Sequence, residues 1–140
     1  MKLEVPEGGL VLGVGTDIVE VERIRLSHER HGERFLNRIY TPEEQAYCLD
    51  MSNPYPHLAA RFAAKEAASK AFTTGIGKAL GWKSVGVIHG ERMQPLAVLD
   101  VQAQALLETL GGTHVLLSLS HTKAMAHAVA LILRRVSEKP

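Results

Sequence analysis

The stretch Arg61-Phe62-Ala63-Ala64-Lys65-Glu66-Ala67-Ala68-Ser69-Lys70-Ala71-Phe72, continuing into Thr73-Thr74-Gly75-Ile76-Gly77, decides how the chain is read. At about 100° per residue, Arg61, Phe62, Lys65, Glu66, Ser69, Lys70 and Thr73 share one half of a helix, and Ala63, Ala64, Ala67, Ala68 and Ala71 the other. Surface helices usually set their charges opposite Leu, Ile or Val. Here the opposite half is alanine, so this helix can lie very close to another backbone. The polar half joins the cations Arg61, Lys65 and Lys70 to the carboxylate Glu66 and the hydroxyls of Ser69 and Thr73. That combination suits phosphate and metal chemistry.

Upstream, residues 10–15 read as an apolar, glycine-punctuated strand. Thr16 or Asp17 is placed to cap a helix over residues 18–31, with Glu20 as a capping-box partner. Gly32 interrupts that helix and residues 35–40 resume it. Thr41-Pro42-Glu43-Glu44 predicts a fresh start, with Thr as cap, Pro at the first helical position and Glu at the third. Residues 50–56 hold Pro54 and Pro56 and read as a loop, and the alanine-faced helix covers 57–73. Downstream, residues 83–89 and 96–99 form a hairpin with Pro95 at its second entry. Asp100 caps a helix over 101–110 that Gly111-Gly112 stops, and strands at 115–121 and 127–133 flank a loop. Residues 1–9 form a loose extension and the last residues fray. The expectation is one α+β domain over 1–140, with a mainly antiparallel sheet and a long central helix.

Composition narrows the function classes. A net charge of +1 gives no bulk attraction to nucleic acid. The sparse aromatics, three Phe, three Tyr and one Trp, argue against a base-stacking surface. Cys48 is alone, so no internal disulfide can form and a reducing compartment fits. No apolar run reaches about 18 residues, and the acidic, proline-broken start is unlike a signal peptide. A cytoplasmic protein with no membrane or nucleic-acid role is expected.

Asp17 is most simply a helix cap, and Glu66 an i, i+4 ion-pair partner of Lys70. Gly13-Val14-Gly15 does not complete a dinucleotide fingerprint, because Ile18 stands at the third glycine position. If Asp17 and Glu66 share a site, two carboxylates about 4 Å apart repel by roughly 4 kcal/mol at a protein-like dielectric. A divalent cation removes that cost, and magnesium typically takes one or two protein carboxylates plus water and phosphate oxygens. Arg61, Lys65 and Lys70 would then meet phosphates, and Gly75 and Gly77 would let backbone amides approach them. Ser118 and Ser120 fall on one strand face and Leu117, Leu119 and His121 on the other. His121, Thr122 and Lys123 are either a plain hairpin turn or an anion clip. The remaining histidines lack zinc-ligand spacing, and Cys48 is taken as packing. Arg30, Arg34 and Arg38 recur at i, i+4, i+8 as a basic stripe, either solvated or a dock for an acidic partner.

Together these blocks resemble the holo-acyl-carrier-protein synthase family of 4′-phosphopantetheinyl transferases. The resemblance rests on Gly13-Val14-Gly15-Thr16-Asp17-Ile18-Val19-Glu20, the Arg61–Ala71 run, Thr74-Gly75-Ile76-Gly77 and Leu119-Ser120-His121-Thr122. It covers residues 10–133 in order. It implies that family's α+β fold, related to the ferredoxin-like fold, and transfer of phosphopantetheine from coenzyme A to a serine of an apo acyl carrier protein, releasing adenosine 3′,5′-bisphosphate. It further implies Asp17 and Glu66 as magnesium ligands, Lys70 as the pyrophosphate contact, and Glu66 as a candidate general base. Arg61, Lys65, Ser69, Gly75, His121 and Thr122 fall in the implied coenzyme A site. Arg23, Arg34, Phe35 and Arg38 match the helix that docks the acidic carrier, and a homotrimer is implied. Ala68 departs from the pattern, standing where an aromatic is common. The competing readings are a non-catalytic module that docks acidic helices, and a nucleic-acid binder that charge and composition disfavour.

Overall fold

The computed structural model describes residues 8–136; most of the expected loose extension and the last residues expected to fray lie outside the described residues. The elements run β1 (Leu10–Glu20), α1 (Val21–His31), α2 (Glu33–Ile39), α3 (Pro42–Leu49), α4 (Tyr55–Ala71), β2 (Val85–His89), β3 (Pro95–Leu99), α5 (Val101–Thr109), β4 (His114–His121) and β5 (Met125–Arg134). The strands form one antiparallel sheet in the order β1-β5-β4-β3-β2. The expected α+β class and long central helix are present.

Local chemistry explains the boundaries. Thr41 Oγ1 accepts from the Glu44 amide at 3.2 Å while Glu44 Oε1 accepts from the Thr41 amide at 2.8 Å, closing the capping box that starts α3. Asp100 Oδ1 accepts from the Ala103 amide at 2.8 Å and starts α5.

Two boundaries differ notably from expectation. α4 runs from Tyr55 to Ala71, so it begins inside the expected loop over 50–56, because Pro56 is tolerated in the first turn of a helix. β1 does not hand over to a helix at Thr16 or Asp17 but continues to Glu20, which itself occupies the α1 cap position without a side-chain bond. The reason is non-local. Thr16 to Glu20 pair with Val129 to Met125 on β5, and that ladder outweighs a local cap. Strand alternation then sets Gly15, Asp17 and Val19 on one face and Val14, Thr16 and Ile18 on the other. Gly15 and Val19 are buried, whereas Val14, Thr16 and Ile18 are exposed.

α4 lies across β1, β5 and β4. Its Ala63, Ala64, Ala67 and Ala68 are fully buried, as are Ala126, Ala128 and Ala130 of β5. The helix and strand backbones therefore approach unusually closely. A Cβ on Gly15 would fall 1.9 Å from the Ala67 carbonyl oxygen, and one on Gly13 would fall 2.2 Å from that of Ala71. Only glycine allows this approach. The polar half of α4 is not displayed as a whole, because α1, α3 and β2 also pack on the helix. Arg61, Lys65 and Ser69 are buried at 2%, 1% and 0% exposure, leaving Glu66 and Lys70 as the accessible ionisable groups of that half. The Arg stripe is also divided. Gly32, at φ 58° and ψ −136°, separates Arg30 on α1 from Arg34 and Arg38 on α2.

Candidate active site between β1 and α4

Close backbone packing at Gly15 delivers Asp17, two residues further along the same face, to the side of α4 that carries Glu66 and Lys70. Lys70 Nζ donates to Asp17 Oδ1 at 3.2 Å and to the Thr16 carbonyl at 2.9 Å. The simplest sequence reading paired Lys70 with Glu66; its salt bridge is instead made to Asp17. Burial pushes the Glu66 carboxyl above its ordinary range, and the Asp17 charge adds to this, while Lys70 and Arg23 oppose it. Asp17, Glu66, Lys70 and Arg23, from β1, α4 and α1, therefore share one electrostatic site, although 49 positions separate the two carboxylates.

A second cluster surrounds Arg61. Its Nη1 donates to the His57 carbonyl at 3.1 Å, its Nη2 donates to His89 Nε2, and its guanidinium carbon sits 4.5 Å from the Tyr47 ring centre. Tyr47 stacks on His89 at 4.3 Å, and His57 meets His121 edge-on at 5.0 Å. Burial depresses the His57 pKa, with His121, Arg61 and His89 adding to the effect. Arg61 Nε is buried and has no partner. Arg61 takes part in no salt bridge among the described residues. Sequence reasoning placed Arg61 and His121 here but missed Tyr47, His57 and His89. His57 carried a usable signal, being one helical turn before Arg61. Tyr47 and His89 come from α3 and β2, and no local pattern marks them.

Other expected site residues sit differently. Lys65 Nζ lies 2.8 Å from Glu44 Oε1 and donates to the Val85 carbonyl at 3.0 Å, so its ammonium is held inside the fold. Burial pulls its pKa below the usual lysine value and Glu44 opposes the shift. Ser69 Oγ donates to the Glu66 carbonyl at 2.7 Å, closing on its own helix. The Gly75 amide donates to the Ser69 carbonyl and the Gly77 amide to the Leu80 carbonyl, so both are already engaged. Thr122 Oγ1 accepts from the Ala124 and Met125 amides at 3.2 and 3.0 Å, which shapes the β4–β5 turn and leaves His121 and Lys123 exposed. Cys48 is buried and its thiol is pushed up to about 11, consistent with packing.

Arg23 lines a groove of about 540 Å³ along α1 with Leu26, Ser27, Arg30 and His31. Arg34 and Arg38 are exposed one turn apart on α2, and Phe35 between them packs edge-on against Tyr40 at 6.0 Å. No helix among the described residues is long and apolar enough to cross a membrane.

Known proteins resemble this chain over most of its length. The profile described as "4'-phosphopantetheinyl transferase superfamily" matches residues 13–131. A holo-[acyl-carrier-protein] synthase of Chlamydia trachomatis serovar D is 51% identical over 121 residues, covering 86% of this chain and 98% of the relative. The crystal structure of holo-[acyl-carrier-protein] synthase from Neisseria meningitidis superposes with a TM-score of 0.82 at 35% identity, covering 88% of this chain and 98% of that one. The Helicobacter pylori holo-[acyl-carrier-protein] synthase in complex with coenzyme A superposes at 0.76 with 31% identity, over 85% and 98% of the two chains. The chain belongs to the 4′-phosphopantetheinyl transferase superfamily and, within it, to the holo-[acyl-carrier-protein] synthase family of enzymes.

Proposed function

We propose that this enzyme, acting as a single domain, transfers the 4′-phosphopantetheinyl group of coenzyme A to a serine hydroxyl of an apo acyl carrier protein. The serine oxygen forms a new bond to the phosphorus next to pantetheine, the pyrophosphate bond breaks, and adenosine 3′,5′-bisphosphate leaves. The observation that carries this reading is the meeting of Asp17, Glu66 and Lys70 between β1 and α4 in a chain of this family. Coenzyme A bound to the Helicobacter pylori relative supports the donor.

Transfer of this kind depends on positioning and charge neutralisation more than on a protein nucleophile. Lys70, reaching out beside Asp17, would hold the pyrophosphate. Glu66 carries a raised pKa, which suits a carboxylate that takes the serine proton near neutral pH. Asp17 and Glu66 fit a divalent cation, because the Asp17 charge adds to the cost of ionising Glu66 and a cation between them would remove that cost. No group of three or more His, Cys, Asp or Glu side chains is poised for a metal among the described residues. Two protein carboxylates, with water and donor oxygens completing the shell, is the arrangement magnesium commonly takes. Bound there, magnesium would neutralise charge gathering on the pyrophosphate. Arg61 and His121 would bind coenzyme A, with Gly75 and Thr122 shaping the surrounding loops. Lys65 and Ser69 would support that site from within the core.

The carrier would dock on Arg23, Arg34, Phe35 and Arg38, whose exposed guanidinium groups suit an acidic helix. The chain would assemble as a homotrimer, as the family resemblance implies, and the open face of the sheet offers a surface for self-association. Val14 and Ile18 are 59% and 63% exposed there, beside the half-buried Leu116, Val129 and Leu131, and exposed apolar patches of this kind mark interfaces. A cytoplasmic setting fits the lone cysteine.

The test mixes the protein with an apo carrier, coenzyme A and magnesium and weighs the carrier. A phosphopantetheinyl mass gain that a chelator prevents is expected. A carrier that binds without gaining mass would favour the docking module instead.

A further inference from the structure

Arg61 presents an electrostatic problem that its neighbours do not solve. It is 2% exposed, its Nε has no partner, and the nearby buried carboxylate, Glu44, is already paired with Lys65. A buried guanidinium without a carboxylate partner is costly unless a ligand brings negative charge. The ring facing it is equally specific. His89 Nδ1 lies 3.0 Å from the Met93 carbonyl, which can only accept, so the proton resides on Nδ1. Nε2 is therefore the acceptor for Arg61 Nη2. Met93 supplies that carbonyl from a left-handed backbone conformation, φ 63°, unusual for a residue with a side chain. Tyr47 stacks on His89 at 4.3 Å and lies beneath the Arg61 guanidinium.

We propose that His89 is a positioning residue. Its tautomer is fixed by Met93, and together with Tyr47 it holds the Arg61 guanidinium in the orientation that receives a phosphate of the donor. This rests on the reading above that Arg61 binds coenzyme A. The role is distinct from that of the carboxylates, because His89 acts on Arg61 and not on the reacting atoms. Its loss should therefore weaken donor binding and leave the chemical step nearly unchanged.

Steady-state kinetics with coenzyme A and an apo carrier test this in Arg61→Ala, His89→Ala, His89→Gln and the Arg61→Ala/His89→Ala double variant. His89→Ala should raise the coenzyme A KM about tenfold, the effect of one hydrogen bond to a charged group, with kcat changed by less than about twofold. His89→Gln keeps an acceptor and should recover most of that loss. In the Arg61→Ala background the His89 substitution should add nothing, since residues acting through one another are not additive. KM does not depend on how much protein is active, so partial unfolding cannot imitate this pattern. An unchanged KM in His89→Ala overturns the proposal, as does the same rise in both backgrounds. An unchanged KM in Arg61→Ala overturns the underlying reading of Arg61 instead.

Discussion

Lys70 Nζ lies 3.2 Å from Asp17 Oδ1, joining α4 to β1 across 53 positions of sequence. Its side chain is 51% exposed. An exposed pair of this kind contributes roughly 0–1 kcal/mol to stability, so its main effect belongs to function. Lys70→Met should shift the thermal midpoint by no more than about 2–4 °C while transfer falls at least about tenfold, as expected for a lost charge-assisted contact. Calorimetry and the carrier-mass assay measure the two effects separately. Near-normal transfer would remove Lys70 from the site.

Asp17→Ala and Glu66→Ala should each abolish magnesium-dependent transfer without unfolding the protein. Circular dichroism and the carrier assay across a magnesium titration provide the check. Wild-type transfer by either variant would refute a shared metal.

The buried pair of Lys65 and Glu44 behaves oppositely. Glu44 also accepts from the Val87 amide at 2.8 Å, so it ties α3, α4 and β2 together. Lys65→Met leaves that carboxylate buried and unpaired, at a cost of about 3–5 kcal/mol. Urea unfolding should show this loss, and a smaller one in the Lys65→Met/Glu44→Gln double variant. The coenzyme A KM of folded Lys65→Met should remain near wild type. A large rise would return Lys65 to the list of donor contacts.

Gly15→Ala tests the approach of β1 to α4. Its new Cβ would stand 1.9 Å from the Ala67 oxygen, so the backbones must separate. A destabilisation of about 1–3 kcal/mol is expected from overpacking alone, with a further loss of magnesium-dependent transfer as Asp17 moves away from Glu66. Stability and transfer equal to wild type would contradict the packing described.

His57 makes stability depend on pH. Burial, with the charges of His121, Arg61 and His89, lowers its pKa in the folded state below the ordinary 6.5. The unfolded chain therefore takes up a proton on this residue at a higher pH than the folded one. The contribution of neutral His57 is present above about pH 6.5 and is lost as the pH falls toward the folded value. The thermal midpoint should drop between about pH 7 and 5, and His57→Gln should make that drop shallower. An identical slope would show that other groups govern it.

The sequence was informative where structure is local. Thr41 with Glu44, and Asp100, were legible as helix caps because the bonds span three residues. The alanine half of α4 was legible because its periodicity is intrinsic to a helix. Asp17 was misread as a cap because the competing partner, β5, lies more than 100 residues away. The burial of Arg61, Lys65 and Ser69 was hidden for the same reason. The groups that enclose them or hold their charges, among them Glu44, Val85 and His89, come from other elements. The pairing of Asp17 with Glu66 became visible through family resemblance, since no spacing rule joins residues 49 positions apart.

The contact of Gly13 and Gly15 with α4 has a kinetic consequence. The two carboxylates meet only after a strand from the start of the chain docks on a helix from its middle, and that strand is itself held by β5 from near the end. Such closures are slow compared with helix formation. A nascent chain with α4 already coiled but β5 not yet synthesised would thus have no assembled site, so turnover begins only after β5 has emerged and closed on β1.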